Sequence, residues 1–167
     1  MTRIAITDVA YFDGAAVAAC VVADRWGAQF PVETHTALRT PVADYVPGAF
    51  WQRELPCLQV VLDGLAADVV VVDGYVWLDD LGRKGLGAHL HDVLGGVPVV
   101  GIAKTSFDGS AHARSVVRGV SVKPLYVTAV GIDLDAAAAA VASMHGAHRL
   151  PTLCALVDRI ARTGRTV

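Results

Sequence analysis

Apolar and polar positions along this chain fall into two kinds of pattern, and each predicts a different element. Val69-Val70-Val71-Val72 is an unbroken run of β-branched residues, as in a short strand buried on both faces, and Asp73-Gly74 ends it with a carboxylate and a turn residue. A second run, Val97 to Ala103, ends at Lys104-Thr105-Ser106. Between them, Gly85-Leu86-Gly87-Ala88-His89-Leu90 opens a helix that stops at Gly95-Gly96, giving a strand, helix, strand unit of the parallel type. Ligands of open α/β sheets bind beyond the carboxyl ends of such strands. Asp73 is therefore a site candidate, although on its own it reads equally well as the start of a turn.

The remaining segments alternate less strictly. Residues 3–10 read as a first strand carrying Asp8, Ala15 to Ala23 as a second after the turn Asp13-Gly14, and Ala28 to Leu38 as a third. Short turns make these an antiparallel meander. Asp is depleted in strands, so Asp8 needs a partner unless it faces solvent. After the turn signal Asp44 to Gly48, apolar residues recur at helical spacing through Leu58, Val61, Leu62 and Leu65, and Pro56 predicts two helical pieces. Glu54 is four residues from both Phe50 and Leu58, so it joins the apolar face if the register survives the kink. Tyr75 to Lys84 and 107–113 read as loops, and Ser115 to Val130 as two strands about Lys123-Pro124. Asp133 or Asp135 caps an alanine-rich helix over Ala136 to Met144. Pro151 begins a last helix through Ala161, with Leu153, Leu156 and Ile160 on one side.

Composition narrows the picture. The 167 residues suit one domain over 1–167, and 54% apolar against 18% charged residues gives an alanine- and valine-rich globular chain. Part of that apolar surface could serve an oligomer interface, though no segment demands it. No apolar run is long enough to span a bilayer, and strand-like sequence begins at the N-terminus without a signal peptide, so no membrane partner and a cytoplasmic location are expected. Cys20, Cys57 and Cys154 lie far apart in apolar segments and suggest buried thiols rather than a disulfide or zinc framework. A net charge of −2 does not announce a nucleic-acid binder, but phosphate contact needs only a few cations on one face.

A three-strand meander followed by helix, strand, helix and strand is the order of a ribonuclease H-like α/β fold with a mixed central sheet. There the first strand lies beside the fourth, bringing Asp8 and Asp73 together, with Glu54 approaching from the intervening helix. Three carboxylates on one rim repel one another unless a cation lies between them, and hard oxygen donors select Mg²⁺ or Mn²⁺. Such a site suits metal-assisted phosphodiester hydrolysis.

Seven segments carry a more specific resemblance. They are Thr7-Asp8-Val9-Ala10-Tyr11, Tyr45-Val46-Pro47-Gly48 with Glu54 following, Val72-Asp73-Gly74, Gly85 to Leu90, Gly101-Ile102-Ala103-Lys104, Lys123-Pro124-Leu125-Tyr126-Val127 and Arg149-Leu150-Pro151. In this order the chain resembles the endonuclease V family. That family has the ribonuclease H-like fold and cuts DNA or RNA next to deaminated bases, chiefly inosine. The resemblance implies that Asp8, Glu54 and Asp73 are metal-site carboxylates for Mg²⁺ or Mn²⁺ and that Lys104 is a catalytic cation. It also implies that Tyr45, Pro47 and Gly48 form a wedge beside the lesion, and that His89 meets substrate. On the residues alone, Tyr45 reads as packing at a helix entry, Lys104 as a solvated strand end, and His89 as a helix-packing residue.

The chain also departs from that pattern. The family's late active-site histidine has no counterpart in Tyr126-Val127-Thr128-Ala129-Val130-Gly131-Ile132, Asp79 or Asp80 stands where a second family histidine would fall, and the loop after Lys104 is short. The family's N-terminal extension is not seen ahead of the first strand. A family member turned to small-molecule biosynthesis or to non-catalytic binding is therefore the competing expectation. A basic face around Arg83, Lys84, Lys104 and Arg114 would favour the nuclease, and a closed apolar pocket lined by Tyr75 and Trp77 would favour small-molecule chemistry.

Overall fold

A computed structural model describes residues 1–106 and 112–164. Its elements are β1 (Ile4–Phe12), β2 (Ala15–Ala23), β3 (Glu33–Arg39), α1 (Phe50–Leu62), β4 (Val69–Asp73), α2 (Leu86–Val93), β5 (Val99–Ala103), β6 (Arg114–Val116), β7 (Leu125–Val130), α3 (Leu134–Ser143) and α4 (Thr152–Thr163). The strands form one mixed sheet in the order β3-β2-β1-β4-β5-β7-β6. β1 to β3 are the antiparallel meander, and β1, β4 and β5 run parallel at the centre.

The valine run shows why the sheet is covered on both sides. Val69 and Val71 join Ile4, Ile6, Val157 and Ile160 in the core under α3 and α4. Val70 and Val72 join Leu55, Leu58 and Leu90 under α1 and α2. Alternate side chains of one strand thus feed two cores, which only an unbroken apolar run can do. Among the described residues no helix is long and apolar enough to cross a membrane.

Several expectations need correction. The third strand begins at Glu33 rather than Ala28, because the apolar stretch before it is spent on turns, with Phe30 and Val32 exposed. α1 is one helix with Pro56 inside it rather than two pieces. Proline forfeits one backbone donor, but Leu55, Leu58, Val61 and Leu62 on both sides of it pack into one core and hold the axis. The helical register therefore survives, and Glu54 is buried at 6% exposure. The fifth strand starts after Pro98, which cannot donate to the ladder. The cap of α3 resolves to Asp133, whose carboxylate accepts from the Ala136 N–H at 2.9 Å. Residues 107–111 of the loop expected at 107–113 lie outside the described residues.

Gly101 fixes the height at which the β4 tip sits. A Cβ there would stand 2.4 Å from the Gly74 carbonyl oxygen and 2.7 Å from Thr128 Oγ1, which itself accepts from the Val76 N–H at 2.8 Å. Gly101→Ala is expected to cost about 1–3 kcal/mol through this overpacking. Urea unfolding followed by far-UV circular dichroism measures it, and an unchanged midpoint would show that the β4 tip can shift freely.

Candidate active site

Register brings the first two acids together. β1 and β4 pair in parallel with Ile6 opposite Val71, so two residues further on Asp8, in the middle of β1, stands level with Asp73 at the carboxyl end of β4. Just before that point the Thr7 hydroxyl donates to the Val71 carbonyl at 2.8 Å, bridging the strands where they reach the rim. Strand alternation puts Asp8 on the side of Ile4 and Ile6, and Asp73 on the side of Val69 and Val71, so both face the layer that contains α4. Glu54 reaches the rim from α1 across the end of the sheet.

The electrostatics show that these carboxyls feel one another. Burial, then the charge of Asp73, pushes Asp8 up to about 7, against a hydrogen bond from the Val9 N–H at 2.8 Å that favours its ionised form. Burial and the charge of Asp8 push Glu54 up to about 8. Asp73 is also raised by burial, while the Lys104 ammonium pulls it down. Four residues expected from the sequence, Asp8, Glu54, Asp73 and Lys104, thus meet beside the central strands, about the carboxyl ends of β4 and β5. Arg149 fixes the backbone beneath Lys104 by donating to the Lys104 carbonyl and, at 2.7 Å, to that of Pro124.

Sequence reasoning missed a fourth carboxyl, Asp158. It projects from α4 toward Asp8, raises the pKa of both Asp8 and Asp73, and lines a small recess with Asp8, Asp73, Lys104 and Cys154. Arg162, one turn on, grips it at 2.6 and 3.0 Å. The signal was present in the spacing: Asp158 follows Cys154 by four and precedes Ala161 by three, which places an acid on the inward stripe of the helix. At the turn where the late histidine was sought, a Cβ on Gly131 would meet His91 and Pro98.

A second cluster lies behind Glu54. The Tyr11 ring sits beneath the Arg53 guanidinium, 3.7 Å from carbon to centroid, and its buried hydroxyl points to the Glu54 side without a well-formed hydrogen bond. Burial, then the Glu54 charge, pushes that hydroxyl's pKa up, so it stays protonated.

Beside the acids opens a cleft of about 540 Å³. Tyr45 and Gly48 line it from the loop before α1, Phe50 and Trp51 from α1, Tyr75 and Leu78 from the segment after β4, and Asp73 and Lys104 join it to the acid recess. Tyr45 is 59% exposed, so it does not serve as packing at the helix entry. Pro47 and His89 are not in the wall; His89 stacks on Trp51 with ring centroids 3.8 Å apart, joining α2 to α1. Of the two aromatics proposed for a closed pocket, Tyr75 lines the cleft, whereas Trp77 turns to donate its indole N–H to the Ala129 carbonyl at 3.1 Å. The basic face is also modest: Arg83, Lys84 and Arg114 are engaged by Asp79, Asp92 and Asp135 respectively.

Among the described residues no three His, Cys, Asp or Glu side chains are gathered into a ready metal cluster. The donors that converge are carboxyl oxygens whose mutual repulsion a divalent cation would relieve, which fits a hard ion. Cys154 adds no thiolate, since burial pushes its thiol up to about 12.

The chain is similar to proteins of one family in both sequence and fold. The family profile described as Endonuclease V matches residues 1–126. Endonuclease V of Streptomyces coelicolor is 36% identical over 185 residues, covering 96% of this chain and 78% of that protein. The crystal structure of Endonuclease V from Streptomyces avermitilis superposes with a TM-score of 0.77 at 30% identity, over 97% of this chain and 80% of that one. Endonuclease V of Ciona intestinalis, solved with a 24mer DNA containing an inosine followed by a ribo-adenosine, shares the fold with a TM-score of 0.82 at 20% identity, over 98% and 85% of the two chains. With the ribonuclease H-like sheet and the acids at its rim, these matches make the chain a member of the endonuclease V family.

Proposed function

We propose that this protein is an endonuclease that hydrolyses a phosphodiester near inosine in DNA or RNA, using Asp8, Glu54, Asp73 and Asp158 to hold Mg²⁺ or Mn²⁺. The observation that carries the reading is the convergence of four carboxyls and Lys104, of which Asp73 and Lys104 reach the wall of an open cleft that also holds an exposed aromatic, Tyr45. Family membership and the inosine-containing DNA bound by the Ciona relative support the substrate.

The chain's own residues divide the work. A divalent cation, when bound, supplies charge neutralisation for the phosphodiester and acidifies water. Lys104, beside Asp73, places a positive charge where charge grows on the phosphate. Tyr45 offers a flat face for the gap left by an extruded base, and Trp51, Phe50 and Tyr75 give that base an apolar chamber. Arg149 holds the strand end that carries Lys104. Pro47 and Gly48 shape the turn that presents Tyr45, with Gly48 at φ +78°, where a side chain would be strained.

The test is cleavage of labelled single-stranded and duplex oligonucleotides, DNA and RNA, each with one inosine, in Mg²⁺, Mn²⁺ or chelator. One cut beside the inosine, present with either cation and lost in chelator, is the expected result. No cut by folded protein under both cations would overturn the reading.

A further inference from the structure

We infer that the loop from Val76 to Gly85 is a second element that grips the nucleic acid, with Leu81 at its tip pressing on bases beside the displaced one. The inference rests on the nuclease reading above and adds a contact to it.

Leu81 is 95% exposed, more than any other large apolar side chain among the described residues except Met1. A single exposed leucine means little by itself. What sets this one apart is how firmly its loop is held. Asp79 Oδ1 accepts from the N–H groups of Leu81 and Arg83 at 2.9 and 3.1 Å, on both sides of the tip. The Leu78 N–H donates to the Arg83 carbonyl and the Gly85 N–H to the Val76 carbonyl, both at 2.8 Å. Trp77 is pinned to β7 through its indole, and the His112 ring reaches Asp80 Oδ1 and the Trp77 carbonyl, each at 2.8 Å. A tip already fixed loses little conformational freedom when it meets a ligand.

The placement follows from the stems. Tyr75 and Leu78 on one stem and Gly85 and Leu86 beyond the other line the same cleft as Tyr45, Asp73 and Lys104. Tyr45 and Leu81 are thus exposed side chains on two separate loops, each of which contributes residues to the wall of one cleft. Apolar wedges at such positions act on nucleic acid by entering between base steps and unstacking them.

Charge on the loop is already matched to neighbouring side chains. All four charged side chains of the loop are engaged: Asp79 with Arg83, Asp80 with His112, and Lys84 with Asp92. With its Arg and Lys held by acidic partners, the loop makes its contact with bases through Leu81. The Leu81 contribution is then independent of ionic strength, unlike any Lys or Arg contact.

The experiment measures the affinity of full-length wild type, Leu81→Ser and Leu81→Met for a fluorescent inosine-containing duplex by anisotropy in chelator, at several salt concentrations, with cleavage in Mg²⁺ followed separately. Leu81→Ser is expected to raise Kd about tenfold at every salt concentration, with an unchanged slope of log Kd against log salt and an unchanged melting temperature, and Leu81→Met is expected to stay close to wild type. Equal Kd for wild type and Leu81→Ser, with wild-type cleavage intact, would overturn this inference alone. Wild type that neither binds nor cuts would remove the nuclease reading and this contact with it.

Discussion

Asp73→Asn is expected to abolish cleavage of an inosine-containing strand, by on the order of a thousandfold or more, while leaving the fold in place. Asn keeps the shape of the side chain and removes its charge. Asp73 is the acid that both the recess and the cleft share, and the one beside which Lys104 stands. Losing that charge weakens cation binding and leaves Lys104 without its counter-ion, so the defect falls on the chemical step and on metal affinity. It also removes one of the like charges that raise Asp8. Thermal stability in chelator above neutral pH should therefore hold or rise. Single-turnover cleavage with a calorimetric scan decides the matter: a cutting rate equal to wild type would sink the assignment of Asp73.

The second large effect is that of pH. Asp8 is raised to about 7 and Glu54 to about 8, so both bind protons at a pH where exposed carboxyls are ionised. Metal-free protein must shed both protons before both carboxylates can serve. The cutting rate at limiting Mg²⁺ should then climb by up to a hundredfold per unit of pH below about 7 and level off above about 8. Excess Mg²⁺ should move the rise to lower pH, because a cation competes with those protons. A flat profile between pH 6 and 8 at limiting metal would contradict the acid cluster. Stability runs in the opposite direction. Between the unfolded carboxyl range near 4 and the raised native values, the native state binds more protons than the unfolded chain, so unfolding free energy falls as pH rises through that window. The stabilising contribution is fully present below about 4 and is lost once the native pKa values are passed. Calorimetry in chelator should show a falling melting temperature from pH 5 to 8, and Mg²⁺ at pH 8 should restore it.

Much of this was legible in the residues because the valine run and the Asp8 and Asp73 positions are local statements about strands. An unbroken β-branched run with a carboxylate at its end leaves few placements in an α/β sheet, and parallel register then aligns Asp8 with Asp73. Glu54 was legible only conditionally, since its burial depends on α1 running through Pro56, and tertiary packing rather than helix propensity decides that. Asp158 was legible only in its spacing to Cys154 and Ala161, a signal masked because Leu153, Leu156 and Ile160 already make a sufficient apolar side for α4. The structure instead turns Leu153, Val157 and Ile160 inward and brings Asp158 to the acids. Tyr75 and Trp77 looked alike as cleft aromatics, and only the Ala129 carbonyl offered to the indole separates them.

The acid cluster gathers residues from β1, α1, β4 and α4, so its order of assembly follows the order of synthesis. A chain emerging from the ribosome can pair β1 with β4 and level Asp8 with Asp73 well before α4 has left the exit tunnel. During that interval α4 does not cover its part of the sheet, and the core residues Ile4, Ile6 and Val71 lack the Val157 and Ile160 that pack with them. Docking of the last helix therefore does two things in one event. It seals that core and brings Asp158 up to Asp8 and Asp73, so the acid cluster is complete only once α4 has docked.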